Sequence, residues 1–216
     1  MIDPEARRSS FVIVVGGHSR NIGKTSVAAG LIAAFPQLGW TAMKITQFGH
    51  GICSKNGRQC DCAIDEHAYA IMEESNREGR TDTSRFLLAG ARRSLWVRTK
   101  QGRLDLAMPK LQVLLRTEPF VMIESNSILR FISPDLYVVV LKPGVEDFKE
   151  SAREFLGKAD ASVVVEANGP EPSWRDLPAA HLSRLPMFQV APPKFFSQEL
   201  KDFVQSRLKT VLSPRP

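Results

Sequence analysis

Residues 11–25, Phe-Val-Ile-Val-Val-Gly-Gly-His-Ser-Arg-Asn-Ile-Gly-Lys-Thr, constrain the fold more than any other stretch of the chain. Five apolar residues, β-branched or aromatic, run into a glycine pair. A short polar loop then delivers Gly23-Lys24-Thr25 at the head of a helix-forming run from Ser26 to Phe35. The pattern predicts a strand, an anion-binding loop and a helix. Glycines let backbone N–H groups come close to an anion, a helix N-terminus presents unpaired donors and a positive dipole end, and Lys24 adds a mobile charge. The Thr25 hydroxyl is of the kind that holds Mg²⁺ beside a bound phosphate. Gly17, Asn21, Gly23, Lys24, Thr25 and Ser26 are therefore the candidate phosphate-binding residues.

The interval from Gly17 to Gly23 encloses five residues, one more than the commonest phosphate-loop pattern. In this the stretch resembles the longer loop, G-x5-G-K-T, of dethiobiotin synthetase and its relatives. These lie within the larger P-loop class that also holds signal-recognition and metallochaperone GTPases.

Downstream, Gly39 to Thr46 reads as a second strand, with Gly39 as the helix-exit residue. Residues 47–62 are glycine-rich, polar and without period; a loop of that length inside a compact domain is usually functional. Residues 63–77 return to helical composition, and Thr83 to Gly90 reads as a short helix capped by Thr81 or Asp82 and closed by Gly90. A strand is expected at Ser94 to Arg98, then a helix from about Arg103 to Arg116, strained by Pro109 or starting after it. Phe120 to Glu124, Leu136 to Leu141 and Ala161 to Val165 are apolar strands, the last two separated by a helix over 145–156. Residues 168–186 are proline-rich and read as a surface excursion, Met187 to Val190 as a short last strand, and Lys194 to Leu212 as a closing helix. Continuous apolar strands alternating with helices describe an α/β fold whose mostly parallel sheet is flanked by helices. With the phosphate loop, the expectation is a P-loop NTPase fold.

The 216 residues suit one domain, 1–216, carrying a Cys-rich loop insertion at 47–67. The net charge of +6 includes two basic clusters, Arg92-Arg93 and Arg98 to Arg103. That excess favours acidic ligands such as nucleotides; for nucleic acid, no basic–aromatic interleaving or known motif is visible. No run of ~18 apolar residues is present and residues 1–8 lack the apolar core of a signal peptide. The expected location is cytoplasmic, with no membrane partner.

Glu124 closes an apolar strand, at the carboxyl end where α/β sheets bind ligands, and with Thr25 could hold Mg²⁺ or its waters. The following Ser125-Asn126 could order the loop around it. Asn168, just past the Ala161 to Val165 strand, is a candidate contact to a purine. With no Asn-Lys-x-Asp signature, GTP and ATP stay equally open as the nucleotide.

Thr81-Asp-Thr-Ser-Arg-Phe-Leu-Leu-Ala-Gly-Ala91 resembles a segment of the MobB family, molybdopterin-guanine dinucleotide biosynthesis protein B. There an Asp-[Ser/Thr]-x-Arg stretch leads to Ala-Gly-Ala and a strand. The family also shows a strand ending in Glu, as at Glu124, and a Lys at the end of the second strand, as at Lys44. The similarity runs in order over about residues 11–140; the family's Lys-His pairing is here Lys44-Ile45. The resemblance implies that Lys24 and Thr25 are the nucleotide-phosphate and metal residues, Glu124 the acidic strand-end residue, and Asp82 and Arg85 polar groups of the site; Lys24, Glu124 and Asp82 are the candidate catalytic residues, and Lys44 and Arg85 candidate nucleotide contacts. It implies a GTP- or ATP-dependent, Mg²⁺-requiring hydrolase, an accessory factor of cofactor biosynthesis that meets a cofactor-biosynthesis enzyme and is compatible with a homodimer. The alternative is an ATP-dependent ligase or kinase acting on a small acidic or hydroxylated metabolite.

Cys53, Cys60, Cys62 and His67, with His50 just before them, supply the thiolate and imidazole ligands of a closed tetrahedral Zn²⁺ site. The surrounding Lys55-Asn-Gly-Arg-Gln and Asp61 are too polar for a core. An iron–sulfur cluster or a Cys60–Cys62 redox pair is a weaker reading of the same residues.

Overall fold

The structure is a computed structural model that describes residues 10–48, 68–166 and 184–212. Cys53, Cys60, Cys62, His67 and Asn168 lie outside the described residues. The elements in order are β1 (Phe11–Gly17), α1 (Lys24–Ala34), β2 (Thr41–Phe48), β3 (Tyr69–Glu73), α2 (Asp82–Leu88), β4 (Arg93–Lys100) and α3 (Met108–Thr117). There follow β5 (Phe120–Glu124), β6 (Leu136–Leu141), α4 (Glu150–Leu156), β7 (Ala161–Val165), β8 (Met187–Val190) and α5 (Gln198–Leu212).

Eight strands form one sheet in the order β3-β4-β2-β5-β1-β6-β7-β8. All neighbours are parallel except β3, which lies antiparallel on the edge against β4. β1 and β6 are buried at every position, as strands covered on both faces must be. Alternation along β1 serves two cores. Phe11, Ile13 and Val15 pack with Val27, Leu31 and Ile32 of α1 and Leu200 and Val204 of α5. Val12 and Val14 pack with Met108 and Leu111 of α3 and Phe155 and Leu156 of α4. Each such side chain contributes about 1.5–3 kcal/mol by leaving water, so the centre of the sheet carries much of the burial that holds the fold together.

Four expectations are corrected. The 63–77 stretch is not helical where it is described: Tyr69–Glu73 is a strand paired from Tyr69↔Thr99 to Glu73↔Leu95. Its Ala, Met and Glu favour helix, but β4 offers an unpaired edge, and alternation lets Tyr69 and Ile71 pack on the second core. The helix over 145–156 is cut to Glu150–Leu156, because the chain before it is committed to the phosphate loop, as described below. The helix from Arg103 starts at Met108 after a 3₁₀ turn at Leu104–Leu106, with Pro109 in its first turn, where a missing N–H costs nothing. The closing helix starts at Gln198 rather than Lys194.

β1 lies where the strand order reverses, with β5 and β2 to one side and β6, β7 and β8 to the other. A crevice opens at the carboxyl ends of such strands.

Candidate functional site: a phosphate loop with a buried Lys–carboxylate cluster

The loop between β1 and α1 is shaped by backbone needs that only certain residues meet. Gly23, immediately before α1, has φ 99°, a left-handed conformation that glycine adopts without strain. Asn21 takes a left-handed φ of 53°, which asparagine tolerates better than most residues. At the strand end, Asn126 clamps the chain: its Oδ1 accepts from Gly17 N at 2.9 Å and its Nδ2 donates to Gly17 O at 2.9 Å. A Cβ on Gly16 would lie 2.2 Å from that Oδ1. The Ser125-Asn126 pair thus orders the loop through Asn126.

Register brings the charged cluster together. Glu124 is paired with Val15 of β1 and with Lys44 of β2, so Lys44 and Glu124 are neighbours on parallel strands and point the same way. Lys44 Nζ is 2.7 Å from Glu124 Oε1, 2.6 Å from Asp82 Oδ2 and 3.4 Å from Thr25 Oγ1. Thr25, at the start of α1, donates its hydroxyl to Glu124 Oε2 at 2.7 Å. Asp82 arrives on α2, which Thr81 caps through a reciprocal hydrogen-bond pair with Ser84. Arg85, one turn on, donates to Ser26 Oγ at 2.8 Å and ties α2 to α1. Burial works against the Lys44 charge, but Glu124 and Asp82 outweigh it and hold the ammonium above its usual value. Burial likewise opposes the Asp82 carboxylate, and Lys44 more than compensates, keeping it below the ordinary range.

Lys24 donates to Ser19 O. Burial lowers its ammonium to about 8, against the attraction of Glu124 and with added repulsion from Lys149 and Lys44. A buried lysine without its own carboxylate is short of negative charge.

The segment after β6 closes the far side of the loop. His18 is buried, its Nδ1 donates to Asp147 O at 3.1 Å, and its Nε2 accepts from Lys142 N at 3.1 Å. Its ring stacks on Phe148 at 5.1 Å. Ser19 Oγ donates to Asp147 Oδ2 at 2.7 Å, and Lys149 N donates to His18 O at 2.8 Å. Burial pushes the His18 imidazole below its usual value, so both ring nitrogens serve these backbone partners in the neutral form.

A cavity of about 780 Å³ joins these parts. Val165, Pro192 and Phe195 form an apolar wall at one end, the loop and the Lys44 cluster the middle, and Thr46, Gln47, Gln101 and Ser127 a polar extension. Its basic lining, which includes Arg20, Lys24, Lys44, Lys142 and Lys149, exceeds the acidic set of Asp82, Glu124 and Glu150. Such a site suits a ligand with an apolar ring at one end and several negative charges in the middle.

Gly17, Asn21, Gly23, Lys24, Thr25, Ser26, Lys44, Asp82, Arg85 and Glu124 all line this one cavity. His18, Asp147, Lys149 and Phe195 escaped the sequence reading. The signal for the first three was weak: Lys142-Pro-Gly ends an apolar strand, the same position that drew notice to Glu124. The Arg92-Arg93 cluster faces away from the site: both arginines pair with Glu118 at the opposite end of the sheet, and Arg93 also with Glu73.

For Mg²⁺ the donors fit. The Thr25 hydroxyl and the Glu124 and Asp82 carboxylates are hard oxygen ligands around one point, and the Lys44 ammonium sits among them as a stand-in cation. Among the described residues, no group of three or more His, Cys, Asp or Glu is placed to hold a metal by itself. Phosphate oxygens and waters would complete the shell.

The chain is thus an α/β protein with a glycine-shaped loop, joining β1 to α1, at the switch point of a mostly parallel sheet. No protein-family model matches it, and no curated protein matches it in sequence. Among solved structures it is similar to HypB from Helicobacter pylori in complex with nickel, at 13% identity and TM-score 0.45, covering 96% of this chain and 92% of that one. It is also similar to LpxK from Aquifex aeolicus in complex with ATP, at 17% identity and TM-score 0.46, covering 83% and 53%. A third is the signal recognition particle 54 kDa protein from Aeropyrum pernix K1 in complex with GDP, at 14% identity and TM-score 0.47, covering 97% and 50%. The match spans about half the length of the second and third chains. Among the described residues, no helix is long and apolar enough to cross a membrane.

Proposed function

We propose that the protein binds a nucleoside triphosphate with Mg²⁺ and hydrolyses it. We place this activity in the cytoplasm, as an accessory factor of cofactor biosynthesis of the molybdopterin dinucleotide type. The observation that carries the nucleotide reading is the convergence of Lys24, Thr25, Glu124, Lys44 and Asp82 at a glycine-shaped loop between a buried strand and a helix N-terminus. Backbone N–H groups of the loop and the first turn of α1 hold the β-phosphate, and Lys24 bridges toward the terminal phosphate. Val165, Pro192 and Phe195 offer the base an apolar wall. Thr25, Glu124 and Asp82 would hold Mg²⁺, which supplies charge neutralisation on the phosphate oxygens.

In the reaction a water oxygen bonds to the terminal phosphorus as its bond to the β–γ bridging oxygen breaks. The electron pair stays on the departing diphosphate, and the water proton leaves to the released phosphate or solvent. Lys24 and Lys44 face the charge that develops.

The accessory role rests on the MobB-like order of the loop, Lys44, the Asp82–Arg85 segment and Glu124. A second reading, an ATP-dependent ligase or kinase, is favoured by the polar extension at Thr46, Gln47 and Gln101, which reaches beyond what the phosphates need. Stimulation of turnover by small acidic or hydroxylated metabolites separates the two readings.

Lys24→Ala tests the nucleotide reading. Calorimetry with Mg-ATP and Mg-GTP is expected to give binding to the parent and loss of at least ~30-fold in affinity, about 2 kcal/mol, in the variant. Equal affinity in both would sink it.

A further inference from the structure

The segment between β6 and α4 holds none of the residues that the reading above requires, yet it is fastened to the phosphate loop. His18, Ser19, Asp147 and the backbones of Lys142 and Lys149 form four hydrogen bonds of 2.7–3.1 Å between loop and segment. A connection of this kind would ordinarily be a solvated turn. Here the fastening sets the backbone of Lys149 against the loop and leaves its side chain half-buried along the cavity.

Lys149, like Lys142, lines the cavity with no side-chain partner among the described residues, unlike Lys24 and Lys44. Lys24 has the carbonyl of Ser19, and Lys44 has both carboxylates of the cluster. The Lys149 ammonium has no hydrogen bond and no ion pair within 4.0 Å among the described residues. Burial lowers its affinity for the proton, repulsion from Arg20 adds to this, and only Asp147 and Glu124 pull the other way. Lys24 and Lys44 also feel it or are felt by it. Its side chain lines the same cavity as Lys24, Lys44 and Glu124. Holding an uncompensated cation beside two others costs free energy unless an anion completes the group.

We infer that Lys149 is a second cation on the terminal phosphate of the bound nucleoside triphosphate, presented from the β6–α4 segment that His18 and Ser19 fasten to the loop. This rests on the nucleotide reading above and deepens it. A positive charge supplied within the chain stabilises the equatorial oxygens as the terminal phosphoryl group separates from the diphosphate, and needs no partner protein to deliver it. It also makes the site a sensor of the third phosphate, since a diphosphate leaves Lys149 uncompensated.

Lys149→Met keeps an unbranched stem of similar length and removes the charge; Lys149→Arg restores a charge. For each full-length protein, calorimetry with the Mg-diphosphate and with the Mg-imidotriphosphate of adenine and guanine, and single-turnover hydrolysis, are read together. For Lys149→Met the expected result is diphosphate affinity within twofold of the parent, imidotriphosphate affinity about 10-fold weaker and single-turnover rate about 10²-fold slower. Lys149→Arg should recover most of both losses. Equal weakening for diphosphate and triphosphate, or a rate within twofold of the parent, would overturn the inference while leaving nucleotide binding by the parent intact. A parent that binds no nucleotide would overturn both. Should Lys149→Met fail to fold, failure of a folded Lys149→Gln to separate diphosphate from triphosphate would be equally decisive against it.

Discussion

At the scale of single residues, the site is a problem in charge balance. Glu124 is buried, and every contact it makes is to a donor: the Thr25 hydroxyl on one oxygen and the Lys44 ammonium on the other. Glu124→Gln keeps the size and one acceptor oxygen, but it turns an amide N–H₂ toward one of these two donors. The charge matters more as negative charge builds on the phosphoryl oxygens than in the ground state, so turnover should suffer more than affinity. The expected fall in single-turnover rate at saturating Mg-nucleotide is ~10²-fold, or about 2.7 kcal/mol. A variant rate within twofold of the parent would remove Glu124 from the chemistry.

Among the elements, the loop and the segment after β6 behave as one unit with His18 as the rivet. Its imidazole is held below its usual value by burial and by the nearby Lys24 charge, while the backbone bonds to Asp147 and Lys142 and the Asp147 carboxylate oppose the shift. A group whose folded value is depressed binds fewer protons folded than unfolded, so its stabilising contribution is complete above the unfolded value of 6.5. It is lost as the pH falls from there through the lower, folded value, where a proton on Nε2 would break the bond from Lys142 N. Denaturant unfolding between about pH 5 and 7.5 should show stability falling with acidification. His18→Gln, which cannot titrate, should show a shallower slope. Identical slopes for the two proteins would mean that His18 does not report the loop's fastening.

For the molecule as a whole, the sheet is a rigid frame with its variable chemistry hung on the carboxyl ends of the strands. Between β2 and β3 lies the stretch carrying Cys53, Cys60, Cys62 and His67, outside the described residues. Both flanking strands lie on the β3-β4-β2 side of the sheet, next to the polar extension of the cavity. One zinc per chain is expected on these four residues. Elemental analysis of untagged protein is the check. Less than about a tenth of an equivalent, unaffected by changing the cysteines to serine, would exclude a resident zinc.

The sequence by itself determined the frame and the loop. The apolar runs at Phe11, Phe120, Leu136 and Ala161 can be satisfied only where both faces of a strand are covered, and the left-handed turn at Gly23 demands glycine. Lys24, Thr25 and Glu124 were legible for the same reason: a strand end or a helix start is a local signal. Tertiary structure alone decided the rest. Tyr69–Glu73 became a strand because β4 had an open edge, a fact no local preference encodes. Lys44 reached Glu124 and Asp82 through strand register and through the placement of α2 against α1, and Lys149 reached the loop because His18 and Ser19 bind a segment more than a hundred residues away in sequence. Those contacts are long-range, and their energies depend on burial, which a linear pattern of residues does not specify.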